Sequence, residues 1–575
     1  MRKTERRWTT VGLLVILLVA PAVAQEYVRF SAPEFFTYEE LLALSQDAPF
    51  EPDLAQKLET ITTTPFVSNE AYYRGAKPSV LEVDGLGRSL RVVFWNIERG
   101  VMLDDIILLF SDQDAFLRKV AESRAEQPDE AEPQVEANPS DEDAAEARKA
   151  LKLGPRVGAA DPYEQIDMDQ LAHDVEVLQS ADVLVLNEVD WGMPRSDYRE
   201  VIVDLGNALN MNWAFGAEFI EIDPVVLGLE DFDEVEDAET REQLLEENQV
   251  DEERLRAIHG TAILSRYPIR SASVRPFETR AYDWYSKEKD IRPVEKAFRF
   301  GSTFIGSPMD REMRRGGRTT LTVELDVPEL PEKRLTVVSP HLENRTKPNN
   351  RQRQMREVLD QVQGVRNPVI IAGDLNTTGG DSEAFRLERH LYKKYTDPDM
   401  WVNQGVKYAT GVGIGYDVFM FGFKFTKNVS DPTAMNIPFL APNKERDLFA
   451  MLEKFRFDDG TIFDFRGDAG RTSNGNVGTL ANSNQRAPKG FSHTYEFVIT
   501  LGVVGKYKLD WIFVKSYLEQ TRSEQGPYTF APHFARTMPR VNFALRGRPL
   551  SDHNPMVVDL PFSEPTIQPQ GGESQ

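Results

Sequence analysis

The chain has 575 residues, a formal charge of −25 and no cysteine. A chain of that length buries a large core, as one domain with insertions or as two domains. Without cysteine there is no disulfide framework, thiolate nucleophile or zinc–thiolate centre, so any metal must be held by oxygen and imidazole. The charge is uneven. Residues 121–170 hold 14 Asp/Glu against 5 Lys/Arg and residues 218–256 hold 16 against 3, together −22. The remainder is close to neutral and stays compatible with a phosphorylated partner.

Residues 1–24 join a basic start (Arg2, Lys3, Arg6, Arg7) to an apolar run, Val11 to Ala20, and then Ala22-Val-Ala24. This is the layout of a signal peptide cleaved near Ala24. It predicts an exported protein, periplasmic or secreted, with an N-terminal membrane anchor as the alternative. Residues 25–88 read as an extension packed on the main domain. Helices are expected at Thr37–Leu44, with Thr37 as its cap, and at Asp53–Ile61.

The apolar run Leu90–Trp95 predicts a strand with Asn96 at its end. One amphipathic helix follows over Leu103–Val120, then a weakly ordered acidic insertion, 121–165. A helix over Met168–Gln179 leads into the buried strand Ala181–Leu186, which ends in Asn187 and Glu188. A helix over Arg199–Leu209 precedes the second acidic insertion, 218–256. His259–Ile269 contains a short strand. Thr319–Val327 and Arg334–Ser339 form a hairpin-like pair, the second running into Pro340 and His341. A basic helix, Asn350–Gln363, comes next. Val369–Ala372 is a strand buried on both faces, and at Gly373 the chain is expected to turn. Asp374 and Asn376 lie just beyond and share a side if the backbone stays extended. After an aromatic-rich insertion, 377–506, the strand Lys506–Val514 carries Asp510. Ser551-Asp552-His553 precedes the last strand, Met556–Leu560, and 563–575 is a loose tail.

Singly, these polar residues are ordinary strand-end or turn formers. Repeated, they suggest a site. Asp510 lies inside an apolar run, where an unpaired carboxylate is costly, and His553 is its expected partner. The segments Phe94-Trp-Asn-Ile-Glu98, Asn187-Glu-Val189, His259 to Ile269, Ser339-Pro-His-Leu342, Gly373-Asp-Leu-Asn376, Leu509-Asp-Trp-Ile512 and Ser551-Asp-His553 occur in one order. In that order they resemble the endonuclease/exonuclease/phosphatase superfamily over residues 89–562.

The resemblance implies an α/β (α+β) fold: a four-layer sandwich of two packed mixed β-sheets with outer helices. It further implies Mg²⁺ or Mn²⁺ on Glu188, with Asn96 beside it and Asp552 on the same edge. Asp374 would orient the attacking water and Asn376 the phosphoryl oxygens. His553, paired with Asp510, would be a cation, and His341 would lie near the leaving oxygen. Arg314, Arg315 and Arg318 surround Gly316-Gly317. Arg315 and Arg318 are the candidates for substrate phosphate, against the alternative of a solvated basic turn. Tyr282 to Tyr285 reads as core, with a stacking platform as the alternative. His173, His390 and His533 read as structural, and His493 is left open.

The implied activity is an exported, Mg²⁺-dependent phosphoesterase acting on a diester rather than a monoester. The inositol-phosphatase branch carries Cys-Asp-Arg where this chain has Leu509-Asp-Trp511. A secreted nuclease is the alternative, although no dense Lys/Arg face is seen to supply nucleic-acid affinity. A sphingomyelinase-like lipid headgroup hydrolase is another, with the membrane involved only through its lipid. A non-catalytic binding protein would lack a metal or base residue, and none is missing. Oligomeric state is not legible.

Overall fold

Strands that read as continuous apolar runs sit where both of their faces are covered. The computed structural model describes residues 26–78, 81–84, 87–125, 166–229, 238, 241–242, 249–289, 312–330, 332–376, 446–464, 494–498, 504–515, 530, 533–546 and 549–563. The signal-peptide stretch, the core of each acidic insertion, most of 377–506 and the tail beyond 563 lie outside the described residues, as do His390 and His493.

In chain order the strands are β1 (Phe30–Ser31), β2 (Phe66–Ser68), β3 (Leu81–Val83), β4 (Gly87–Arg99), β5 (Val183–Trp191) and β6 (Asn212–Glu221). Then come β7 (Ile258–Ser265), β8 (Ile269–Pro276), β9 (Arg314–Gly316), β10 (Thr319–Asp326), β11 (Arg334–Pro340) and β12 (Val369–Asp374). The last are β13 (Tyr495–Val498), β14 (Val504–Tyr507), β15 (Asp510–Lys515), β16 (His533–Thr537) and β17 (Met556–Pro561). The larger sheet runs β1-β2-β6-β7-β5-β4-β17-β16, with β3 paired to β4 and β9 to β6. The smaller runs β15-β12-β11-β10-β8, and β13–β14 is a separate hairpin. Both sheets are mixed, since β4–β5 and β11–β12 are parallel within otherwise antiparallel ladders.

Alternation sorts the apolar side chains into layers. Val92 and Phe94 of β4, Val183 and Val185 of β5, Ile370 and Ala372 of β12, and Ile512 and Val514 of β15 meet between the sheets. The alternate residues Val93, Trp95, Leu184 and Leu186 face an outer core with helices such as Leu103–Ser111 and Met168–Gln179. Val369, Ile371, Trp511 and Phe513 face the other, under helices Pro348–Val362 and Arg446–Lys454. The result is the expected four-layer sandwich of two mixed sheets with outer helices.

Within 26–78, helices Tyr38–Leu44 and Pro52–Thr63 form, and the Thr37 hydroxyl accepts from Glu40 N while the Glu40 carboxylate accepts from Thr37 N. This closes two otherwise unsatisfied donors. Phe36, Leu41, Leu44 and Ile61 enter the outer core, and β2 hydrogen-bonds β6.

Several expectations are corrected. Leu103–Val120 is two helices, Leu103–Ser111 and Gln113–Ala125, because Asp112 turns the chain and caps the second by accepting from Ala115 N. Glu218 to Glu221, counted from sequence with the second insertion, complete the buried strand β6. The run 506–514 is divided between β14 and β15. No helix among the described residues is long and apolar enough to cross a membrane.

Gly373 does not turn the chain. It lies within β12, where an added Cβ would stand 2.0 Å from the Pro340 carbonyl oxygen. Its role is close approach of two strands. Gly373→Ala is expected to lower stability by about 1–3 kcal/mol through overpacking. A denaturant midpoint measurement checks this, and an unchanged midpoint would refute the close-approach account.

Candidate active site

The alternation that fills the inter-sheet core also places polar residues where that core ends. Asn96 follows Val92 and Phe94 in phase, Asn187 follows Val183 and Val185, and Asp374 follows Ile370 and Ala372. Asp510 precedes Ile512 in the same phase, and Ser339 and His341 continue from Leu335 and Val337. Register brings them level: Asn96 is opposite Asn187, and Asp374 opposite Asp510. The ladders of β4 with β5 and of β5 with β7 are irregular here, and Glu98, Arg99 and Glu188 take φ of 46°, 67° and 53°. Such bulges re-aim side chains next to sites.

Asp374 is the centre. Its Oδ2 lies 3.5 Å from Asn96 Nδ2, 3.7 Å from His341 Nε2 and 4.0 Å from His553 Nε2. Its backbone N–H donates to Asn187 Oδ1 at 2.8 Å, and Asn187 Nδ2 donates to Ser339 Oγ at 3.1 Å, so one amide spans both sheets. Each histidine has a carboxylate behind it. His553 Nδ1 lies 2.9 Å from Asp510 Oδ2, the pairing expected from sequence. His341 Nδ1 is held between Arg318 Nη1 at 2.7 Å and Glu218 Oε1 at 3.3 Å, which leaves Nε2 facing Asp374. The His553 loop is pinned to β4: Ser551 Oγ donates to Asn96 O at 2.6 Å, and Trp95 Nε1 donates to His553 O at 2.8 Å.

Charge sets protonation. Burial and the neighbouring Asp510 raise the Asp374 carboxyl above its ordinary range, against the pull of His553 and His341. Burial alone would make His553 less basic, but Asp510, Asp552 and Asp374 outweigh it and lift it well above 6.5. Burial would raise Glu188, yet His341, His259, Arg99 and Arg318 hold it well below the usual carboxylate range. Asp552 is pushed up to about 8 by burial with Glu98 and Glu188 nearby. Asp374, Asp510 and His553 offer ligand atoms within 4.8 Å of one another, so this buried group could hold a metal ion.

Of the ten residues singled out from sequence, Asn96, His341, Asp374, Asp510 and His553 are brought together by direct contacts, and Glu188 and Asp552 join through their electrostatic neighbours. Asn376 closes an Asx turn, its N–H donating to Asp374 Oδ1 at 2.8 Å, and its side-chain amide donates to Leu342 O at 2.9 Å. Its φ of 49° ends the extended backbone assumed from sequence.

Arg315 is a correction. Its guanidinium bonds the carbonyls of Leu44 and Gln46 and lies 3.4 Å from the Tyr285 ring centroid. It fastens the N-terminal helices and does not reach Asp374. Arg318 is buried, ion-paired with Glu218 at 2.7 Å and in contact with His341, so it is no solvated turn residue. Arg314 pairs with Glu221 and Glu312. Trp284 and Tyr285 are core, as expected, and His173 is exposed on its helix.

The reading from sequence missed Glu218, Asn187 as the inter-sheet brace, and the buried pair Asp190–His259 at 2.8 Å. The apolar alternation of β6 was the available signal for Glu218.

A model of the Endonuclease/Exonuclease/phosphatase family matches residues 165–553. Among solved structures, the endonuclease/exonuclease/phosphatase of Beutenbergia cavernae DSM 12333 is similar at 16% identity, over 83% of this chain and 72% of that one, with TM-score 0.31. TDP2 from C. elegans is similar at 12% identity over 96% and 99%, TM-score 0.28. A Bacteroides vulgatus endonuclease/exonuclease/phosphatase is similar at 10% over 82% and 98%, TM-score 0.29. A search of curated proteins gave no match. The family model spans more than half of the chain, and on that ground the protein belongs to the endonuclease/exonuclease/phosphatase family.

Proposed function

We propose that the protein is an exported, divalent-metal-dependent phosphodiesterase. The observation that carries the chemistry is the convergence of His341 and His553 on Asp374 Oδ2, at 3.7 and 4.0 Å, each with its own buried carboxylate. In this reading Asp374 takes the proton of the attacking water, a task suited to a carboxyl raised toward neutrality. His553, kept protonated by Asp510, neutralises charge on the phosphoryl oxygens. His341 faces the cleft through Nε2, which has no hydrogen-bond partner among the described residues. From there it serves the leaving oxygen. Asn96 and Asn376 restrain Asp374 and its turn.

A divalent cation fits the acidic edge by its chemistry. Burial, with Glu98 and Glu188 nearby, pushes Asp552 up to about 8, a charge cluster that a cation would relieve. No hydrogen bond engages the Glu188 side chain among the described residues, whereas His553 Nδ1 and Asp510 are already committed to each other. Glu188, with Asn96 and Asp552, would therefore hold Mg²⁺ or Mn²⁺, both of which prefer oxygen donors. Bound there, the ion would act as a Lewis acid on the phosphate.

A diester suits the cleft because Arg318 and Arg99 are paired with Glu218 and Glu312. His553, kept protonated, remains as a cation facing Asp374, a charge matched to a monoanion. Export is supported by the basic and apolar pattern of residues 1–24.

Purified protein is expected to hydrolyse bis-p-nitrophenyl phosphate with Mg²⁺ or Mn²⁺ and to stop in EDTA. Asp374→Asn and His553→Ala are each expected to lower kcat by about 10²–10⁴-fold with folding retained, measured by steady-state kinetics and circular dichroism. Full activity in EDTA, or in Asp374→Asn, would sink the reading.

Glu218 supplies a pH test. Burial would raise its carboxyl, but His341 and Arg318 outweigh that and hold it at about 2. A folded value below the unfolded one means stabilisation that is complete above the ordinary carboxylate range and lost as pH falls toward 2. Glu218→Gln is expected to flatten the acid limb of unfolding free energy between pH 4.5 and 2 by on the order of 3 kcal/mol. Equal acid limbs for variant and parent would contradict the pairing.

A further inference from the structure

Thr494 hydrogen-bonds Asp510 and the residue that follows His553. It is buried and directly precedes β13, where the chain returns toward β15. Its hydroxyl oxygen accepts hydrogen bonds from the backbone N–H of Leu509 at 2.9 Å and of Asp510 at 3.1 Å. Its carbonyl accepts the N–H of Asn554 at 2.6 Å, one residue beyond His553. Tyr495 then bridges to His553 and sets its ring 5.1 Å from the imidazole at an interplanar angle of 60°. Asp510 opens a strand of the smaller sheet, while His553 sits in the loop that enters β17 of the larger one. One threonine thus holds the start of β15 through its side chain and the His553 loop through its backbone.

We propose that Thr494 is a positioning residue that locks Asp510 against His553 across the two sheets. The hydroxyl is the part that matters. Two adjacent amides at the entry to β15 share it as acceptor, and their direction fixes where the Asp510 carboxylate points. Valine has the same shape and no acceptor, so it leaves two buried N–H groups unsatisfied. Serine keeps the acceptor. The proposal rests on the phosphodiesterase reading, and its test separates the two.

The full chain and its Thr494→Val, Thr494→Ala and Thr494→Ser variants are compared on bis-p-nitrophenyl phosphate with Mg²⁺, and by hydrogen–deuterium exchange over residues 508–511. The valine and alanine variants are expected to lose about 10- to 100-fold in kcat, the scale of a misplaced catalytic group, with KM unchanged. Exchange at Leu509 and Asp510 is expected to rise while the rest of β12 and β15 stays protected. Serine should restore both. Wild-type kcat with wild-type exchange in the valine variant, a loss carried by KM alone, or a serine variant no better than valine would overturn the proposal. A wild-type chain inactive on this diester would instead overturn the phosphodiesterase reading, and exchange would still decide whether Thr494 holds the start of β15.

Discussion

Side chains on a strand alternate, and two sheets packed face to face must fill the space between them with one phase of every inner strand. That constraint builds the site. As long as Val92, Val185, Ile370 and Ile512 occupy the inner phase, the interior is closed and apolar. Two or four residues nearer the sheet ends, after Val92, Val185 and Ile370 and before Ile512, the same phase carries Asn96, Asn187, Asp374 and Asp510, and the interior becomes a cluster of polar groups. The register that aligns the apolar rows also aligns the polar ones. Hence Asp374 is opposite Asp510 for the same reason that Ala372 is opposite Ile512. Shifting β12 by one residue would expel Asp374 from the cleft and bury a different row.

Burying this many charges is costly, and the arrangement shows how the cost is offset. Each histidine is braced from behind by a carboxylate, Asp510 or Glu218, and presents its free edge to Asp374. Glu218 is in turn paired with Arg318, so charge alternates outward from the cleft. Asp374 is compensated only in part. Neither histidine is within hydrogen-bond distance of it, and Asp510 adds repulsion, so its carboxyl stays raised. A residue that is under-compensated at the centre of well-compensated neighbours has the property a general base needs.

Much of this was legible in the chain. The four-layer sandwich was implied by the resemblance that the ordered motifs carry, and the apolar strands agree with it by having two covered faces; Asp510 signalled a partner by lying inside an apolar run. What was not legible came from ambiguity of pattern. Glu218 and Glu221 read as members of an acidic run because the sequence around 230–256 is dense in Asp and Glu, though both complete an apolar strand. Arg315 and Arg318 looked equivalent across Gly316-Gly317, yet one faces the carbonyls of Leu44 and Gln46 and the other Glu218. Which acidic or aromatic surface lies opposite a basic turn is decided by pairing between distant strands, here β9 with β6. Local spacing carries no record of it. Gly373 failed for a related reason: glycine serves turns and close approaches alike, and only the neighbouring strand distinguishes them.

The positions where local preference is overridden are themselves informative. Glu188 and Asn376 adopt φ of 53° and 49°, a region where glycine would sit without strain. Glycine there would relax the backbone and remove the side chain. In Glu188 it would delete a carboxylate held well below the usual range against its burial by His341, His259, Arg99 and Arg318, and in Asn376 the amide that donates to Leu342. The chain keeps the side chain and bears the strain, which the flanking ladder and the Asx turn to Asp374 hold in place. Glu188 sits at the irregularity within β5 and Asn376 just beyond the end of β12, one beside each sheet. At these two positions the side chain's contribution to the site outweighs the backbone's preference for glycine, more so for Glu188 than for Asn376, since asparagine tolerates this region.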